Sequence, residues 1–292
     1  MKYKFIKNNE FIFPIEKMCN VLKLSSSGYY KWKNRPRSKR LLLKEKIKEQ
    51  ITSIYFLSKQ RYGSPRITFE LNSLGYRISQ ITVAKYMKEL GLRSKLSKKF
   101  KVTTHSKHNY LVVENVLNRN FIAEKPAQVW VSDITYIQTR EGFLYLTTVM
   151  DLYDRKIIGW SLSETMSAEE TSLAAWKMAV KNRKIADGLI FHSDRDVQYA
   201  SKKFANTVGF YGVTRSMSRK GNCWDNAVAK SFFKSLKTEL IYGNKLITKE
   251  KMKLEIFEYI EVWYNKKRRH SSLNYKTIEE FNKQNRIYKN AA

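Results

Sequence analysis

Two aspartates stand where a carboxylate is expensive to bury. Asp133 lies inside the run VWVSDITYI (residues 129–137), and Asp194 closes GLIFHSD (residues 188–194). A carboxylate flanked by buried strand residues must be hydrogen-bonded, paired or bound to a metal. Each could therefore be a satisfied buried aspartate or a helix cap, or a ligand for catalytic cations. Other constellations are weaker. His105 and His108 have the H-x2-H spacing of a zinc pair. Zinc needs two more ligands, and the only cysteines, Cys19 and Cys223, are far apart with no C-x-x-C. His192, Ser193 and Asp194 are consecutive, and neighbours on a strand point to opposite faces, so they form no nucleophilic relay. No GxxxxGK[ST] occurs, which argues against an ATP-driven motor.

The elements that must position these aspartates follow from the hydrophobic pattern. Residues 128–137, 142–153 and 155–163 are rich in β-branched and aromatic residues, with short gaps, and read as three antiparallel strands. Then come a helix over 168–182, a buried strand over 188–193, a helix over 199–208, a strand over 213–217 and a helix over 225–240. An amphipathic helix over 249–265 ends the series. The fold class expected is α/β, a mixed five-stranded sheet covered by helices in the order of the ribonuclease-H-like fold.

Residues before Pro126 read as helical. Pro14 to Leu22 has helical spacing, Ser25 to Gly28 breaks it, and a longer helix runs from Leu41 to Leu57. Ser64 could cap a helix with Pro65 at its first position and Ile67, Leu71 and Leu74 along one face. Gly75 would stop it. Ser79 then caps a second helix with Val83, Tyr86, Met87 and Leu90 inside, ended by Gly91. That layout is a helix-turn-helix, and Gln80, Thr82, Lys85 and Lys88 could face DNA. An ordinary helical hairpin with a solvated basic face is the competing reading.

Charge points the same way. The 292 residues carry 56 Lys+Arg against 26 Asp+Glu, a formal net charge of +30. Residues 1–126 hold 28 basic against 8 acidic residues and residues 127–292 hold 28 against 18, so the first part is the more basic. Such an excess calls for a polyanion, most commonly nucleic acid. No apolar run is long enough for a membrane helix, and two cysteines give no disulfide framework, which suits a reducing cytosol. The expected organisation is a basic helical region (1–57), a helix-turn-helix region with basic linker (58–126), a core with C-terminal helical extension (127–285) and a tail (286–292).

Six stretches carry a specific resemblance: RYGSPRI (61–67), VWVSDITYI, GFLYLTTVMDLYDRKIIGW (142–160), HSDRDVQYAS (192–201), SMSRKGNCWDNAVAKSFFKSLKTEL (216–240) and YNKKRRHSSL (264–273). In these the chain resembles the OrfB transposases of the IS-three insertion-sequence family, whose core is of the retroviral-integrase type. The resemblance implies a DDE active site that uses Mg2+ or Mn2+, with Asp133 and Asp194 as the first two catalytic, metal-binding carboxylates. The third family residue, a glutamate, falls on Lys230: this chain reads NAVAKSFF where the family reads NAVAESFF. A lysine offers N–H donors where magnesium needs an oxygen acceptor, so metal binding is expected to weaken and catalysis to be lost. The lysine would instead form salt bridges to the aspartates. Asp196 stands where the family commonly has glycine (HSDRG), and it too could pair with Lys230. Asp225 lies too early to replace the missing carboxylate, and Glu239, nine residues on, falls on the opposite helical face.

Lys230, Lys234 and Lys237 share one helical face, and Lys234 and Lys237 are expected to track a DNA backbone. Lys266, Lys267, Arg268 and Arg269 in KKRRH are expected to form a second phosphate-binding element. Together these readings predict a transposase that binds insertion-sequence ends and target DNA but is catalytically impaired. The alternative is a non-catalytic DNA-binding protein regulating transposition. The resemblance also implies an upstream-frame helix-turn-helix and coiled-coil partner, homo-oligomers on DNA, and a bacterial cytoplasmic, nucleoid-associated location.

Overall fold

A computed structural model describes residues 1–95 and 112–291, with side chains to residue 285. The zinc-like pair His105 and His108 lies outside the described residues. The chain divides into two compact units, Met1–Arg93 and Ser94–Ala292.

In the first unit, α1 (Lys2–Asn9), α2 (Ile15–Val21) and α3 (Ser26–Lys33) close around Ile6, Met18, Cys19 and Tyr29. The pattern break at Ser25 to Gly28 is a helix start: the Ser25 side chain accepts the Gly28 N–H at 3.3 Å and caps α3. Next come α4 (Lys39–Leu57), α5 (Ser64–Ser73) and α6 (Gln80–Glu89), which pack together through Ile47, Ile51, Tyr55, Ile67, Leu71, Val83 and Met87. Gly63, not Ser64, holds the cap position of α5, with Pro65 in its first turn. Leu74 falls outside the buried stripe and is 60% exposed, because α5 has ended and Gly75, at φ +88°, turns the chain away. Ser79 caps α6 as expected, accepting from Thr82 N–H at 3.3 Å. Lys44 and Lys48 of α4 reach Glu89 at 3.0 and 2.7 Å and lie over the Tyr86 ring, fastening α6 to α4.

The second unit is built on a five-stranded sheet in the order β3-β2-β1-β4-β5: β1 Val129–Thr139, β2 Gly142–Asp151, β3 Ile157–Ser163, β4 Ile190–Ser193 and β5 Thr214–Met217. β1, β2 and β3 are antiparallel, while β4 and β5 run parallel to β1. Expectation and structure agree on all five strands and on their mixed sense. The helix expected over 199–208 is two pieces, α8 (Val197–Ala200) and α9 (Lys202–Gly209), since Ser201 adopts an extended conformation and caps α9 through Phe204 N–H.

Helix α7 (Ala174–Asn182) lies so close over β3 that a Cβ at Gly159 would come within 2.6 Å of the Ala179 nitrogen. Beside it, Trp130, Trp176, Phe191, Tyr199 and Phe204 fill the core. The acids of the DLYD stretch are structural. Asp151 accepts from Trp130 Nε1 at 3.1 Å and from Arg183 at 2.6 Å, and Asp154 takes the other arm of Arg183 at 2.8 Å. Burial alone would raise Asp154, but Arg183 holds it below the ordinary carboxylate range. Helix α10 (Ala227–Leu236) packs on β1 and continues as a wider turn to Ile241. α11 (Lys249–Phe257) likewise continues to Lys267, and α12 (Ile278–Ala291) ends the chain. Residues 112–126 belong to this unit, since Val112 and Val113 pack on the core and Leu117 is buried. The change of pattern at Pro126 therefore marks the start of the sheet.

Candidate active site

Strand register places the two aspartates. Val131 of β1 pairs with His192 of β4 in parallel. Two residues further along each chain stand Asp133 and Asp194, on the same face and side by side. Both are buried, at 4% and 6% exposure. The Asn226 side chain donates to Ser132 O at 2.8 Å, which pins the start of α10 beside Asp133. That docking brings Lys230, one turn into α10 and half-buried, to the same end of the sheet.

Burial raises all three carboxyls of the cluster. Burial, then the Asp194 charge, push Asp133 well above its ordinary value, and Lys230 only partly offsets them. Asp194 is raised by burial, with the Asp196 backbone N–H at 3.1 Å, Lys230, and side-chain hydrogen bonding to Asp133 and Asp196 opposing the shift. Burial and the charge of Asp194 lift Asp196 to about 8. Asp196 Oδ1 is buried without a hydrogen-bond partner. Lys237 is half-buried on the same helical run; desolvation pulls its ammonium down while Asp133 pushes it up. Lys234 is exposed.

The lysine acts at a distance. Among the described residues Lys230 makes no ion pair within 4.0 Å, so the direct salt bridges expected to Asp133, Asp194 or Asp196 do not form. Its effect on all three carboxyls is through space.

Neighbouring acids are already committed. Asp225 is fully buried beneath Arg119, Arg219 and Asn115 at 2.8, 2.8 and 3.0 Å, and Arg219 first, despite burial, holds it well below the usual carboxylate range. Glu239 accepts from Tyr259, Trp263 and Arg268. His192 is buried between the hydroxyls of Ser216 and Ser218, which leaves it neutral with its value lowered to about 4 by desolvation.

Of the expected DNA contacts, Arg268 and Arg269 must be reassigned. Arg268 is 6% exposed and donates to Glu239 from both Nε and Nη2, at 3.0 and 2.8 Å to Oε1. Arg269, equally buried, reaches Tyr275 O at 3.1 Å and Glu280 at 3.0 Å. The chain turns after Lys267, so the next two side chains face inward to anchor α10 and α12. Lys266 and Lys267 remain on the surface. On α6, Gln80 and Lys85 are exposed, whereas the Thr82 hydroxyl is drawn to Ser79 Oγ at 3.0 Å. Reading the sequence missed Asn226 and the two arginines over Asp225. The only signal for them was the DN pair in GNCWDNA: Arg119 lies 106 residues from Asp225 and Ser132 lies 94 from Asn226, while Arg219, six residues before Asp225, sits in a loop with no periodic pattern.

Three matches give this geometry a family. Residues 123–223 and 230–285 match the integrase core domain, and residues 43–100 match an HTH-like domain. The transposase InsF of insertion sequence IS3A from Escherichia coli K12 is 42% identical over 98% of this chain and 99% of its own length. The insertion element IS600 31 kDa protein of Shigella sonnei is 40% identical over 88% of the chain and 94% of its own length. Among solved structures, the HTLV-2 integrase catalytic core is similar at TM-score 0.41 and 14% identity, covering 55% of this chain and 99% of that one. The Mos1 mariner transposase catalytic domain gives TM-score 0.41 and 13% identity over 47% and 71%. With an HTH-like region preceding a ribonuclease-H-like core of the integrase type, the chain belongs to the IS3 family of insertion-sequence transposases.

Proposed function

We propose that this transposase binds the ends of its insertion sequence and target DNA but carries out little or no strand cleavage and transfer. One observation supports the reading above the others. The group that α10 brings toward Asp133 and Asp194 is the ammonium of Lys230, a cation where a third oxygen donor would be needed. Divalent cations of the magnesium type need several hard oxygen donors. The donor set here does not fit them: two aspartates face a lysine, and among the described residues no three His, Cys, Asp or Glu converge into a metal-holding group. Asp196 does not complete a metal-holding group with Asp133 and Asp194 in this arrangement.

DNA binding has separate support. The +30 net charge, the exposed Gln80 and Lys85 on α6, and the surface lysines Lys234, Lys266 and Lys267 are independent of the acidic cluster. A chain that binds element ends without cutting them would act on transposition as a regulator. Dimers or higher assemblies on DNA, and a partner from the upstream frame, belong to the same proposal.

The test compares the protein with Lys230→Glu, and with Lys230→Glu combined with Asp196→Gly, in a strand-transfer assay containing magnesium or manganese. Joined product is expected from a substituted chain and only background from the parent. Equal, robust turnover by the parent and Lys230→Glu would end the reading.

A further inference from the structure

The loop between β5 and α10 carries chemistry that the acidic cluster does not use. Trp224 stands at its tip, 69% exposed, the largest side chain a protein can leave in water. Both stems of the loop are pinned beside the two aspartates. On one side Ser218 N–H donates to Ser193 O at 2.9 Å, and Arg195 Nε donates to Ser218 O at 2.6 Å, flanking Asp194. On the other, Asn226 is bonded to Ser132, the neighbour of Asp133. Gly221 at φ +70° permits the turn, and Asn222 caps the short helical turn by accepting from Trp224 N–H at 3.3 Å.

The residue next to Trp224 gathers cations. Asp225, next to Trp224, is fully buried and takes two guanidiniums, yet Arg119 and Arg219 remain 44% and 49% exposed. Two cations on one carboxylate leave a net positive collar, to which exposed Lys220 adds. An exposed aromatic side chain next in sequence to a carboxylate that gathers two exposed guanidiniums, on a loop tied to both aspartate strands, matches the chemistry of a base-stacking site with phosphate grips. A solvated tip needs no such bracing and would expose its tryptophan at a cost.

We propose that the Trp224 indole stacks on an unpaired DNA base, with Arg119, Arg219 and Lys220 taking the flanking phosphates. The loop then holds locally opened DNA against the core. The inference rests on the DNA-binding reading above and names the form of DNA that this site prefers. It is independent of whether Lys230 abolishes cleavage.

The test uses the full chain and two labelled duplexes of the same sequence, one fully paired and one with a single extra, unpaired base bearing 2-aminopurine. Anisotropy titrations at one salt concentration give the ratio of affinities, and 2-aminopurine emission reports stacking. The parent is expected to prefer the bulged duplex by about tenfold, the scale of one base–aromatic stack, and to quench the probe. Trp224→Ala is expected to bring the ratio to about one and restore emission, whereas Trp224→Phe retains most of both. Phe210→Ala, which removes another exposed aromatic, serves as the control and should leave the ratio unchanged. If parent and Trp224→Ala show the same ratio and the same emission, the inference fails while DNA binding stands. If the parent binds neither duplex, the DNA-binding reading fails and takes this one with it.

Discussion

At the scale of single residues, Lys230 is a cation held near three carboxyls without touching any of them. Exchanging it for an acid adds a fourth carboxyl to a buried cluster whose values burial already raises. Lys230→Glu is therefore expected to lower the melting temperature in the presence of a chelator, with Lys230→Met falling in between. Calorimetry that found the glutamate variant as stable as the parent would remove the compensating role given to Lys230. Glu239 offers the opposite case, an acid bonded to the buried Tyr259, Trp263 and Arg268. Glu239→Gln leaves Arg268 buried without its counter-charge, and a loss of about 3–5 kcal/mol is expected in denaturant unfolding. Lys266→Ala, on the exposed turn two residues before Arg268, should change stability by less than about 0.5 kcal/mol.

Secondary elements carry their own constraints. β3 and α7 meet at Gly159, where the missing side chain is what lets the helix backbone approach. Gly159→Ala forces α7 away from the sheet and is expected to cost about 1–3 kcal/mol, read by urea denaturation. In the first unit, the grip of α4 on α6 depends on an ionised Glu89. Hydrogen bonds from Lys48 and Lys44 lower its value from 4.5 to about 2. A depressed carboxylate contributes stability above the ordinary value and loses it as pH falls toward the depressed one. The α4–α6 contact should thus weaken between about pH 4.5 and 2, and Glu89→Gln should flatten that part of the acid melting curve. A parallel fall in both proteins would contradict the assignment.

For the whole molecule the excess of cations governs association with DNA. Each lysine on a phosphate releases counterions, so affinity should fall steeply with salt. Lys234→Ala, at an exposed position on α10, is expected to weaken binding to all duplexes alike and to reduce the slope of log affinity against log salt by about one. An unchanged slope would take Lys234 off the DNA path.

The strands, the α5–α6 pair and the candidate aspartates were legible in the sequence because each leaves a local mark. Alternation sets a strand, Gly75 and Gly91 stop helices, and a lone carboxylate in VWVSDITYI is conspicuous. The residue at position 230 was legible too, through its place in a long matching word. What no local pattern holds is where a long cation ends up. KKRRH reads as one basic patch, yet its lysines stay in water while Arg268 and Arg269 turn inward to acids 29 and 11 residues away. Likewise, only packing decided that Lys230 would stand off from the aspartates and that Asp225 would be roofed by Arg119 and Arg219. Composition and periodicity fix which groups exist and which face of an element they occupy. The partner of a charge is chosen by the competition between desolvation and pairing, and that is settled only when distant segments meet.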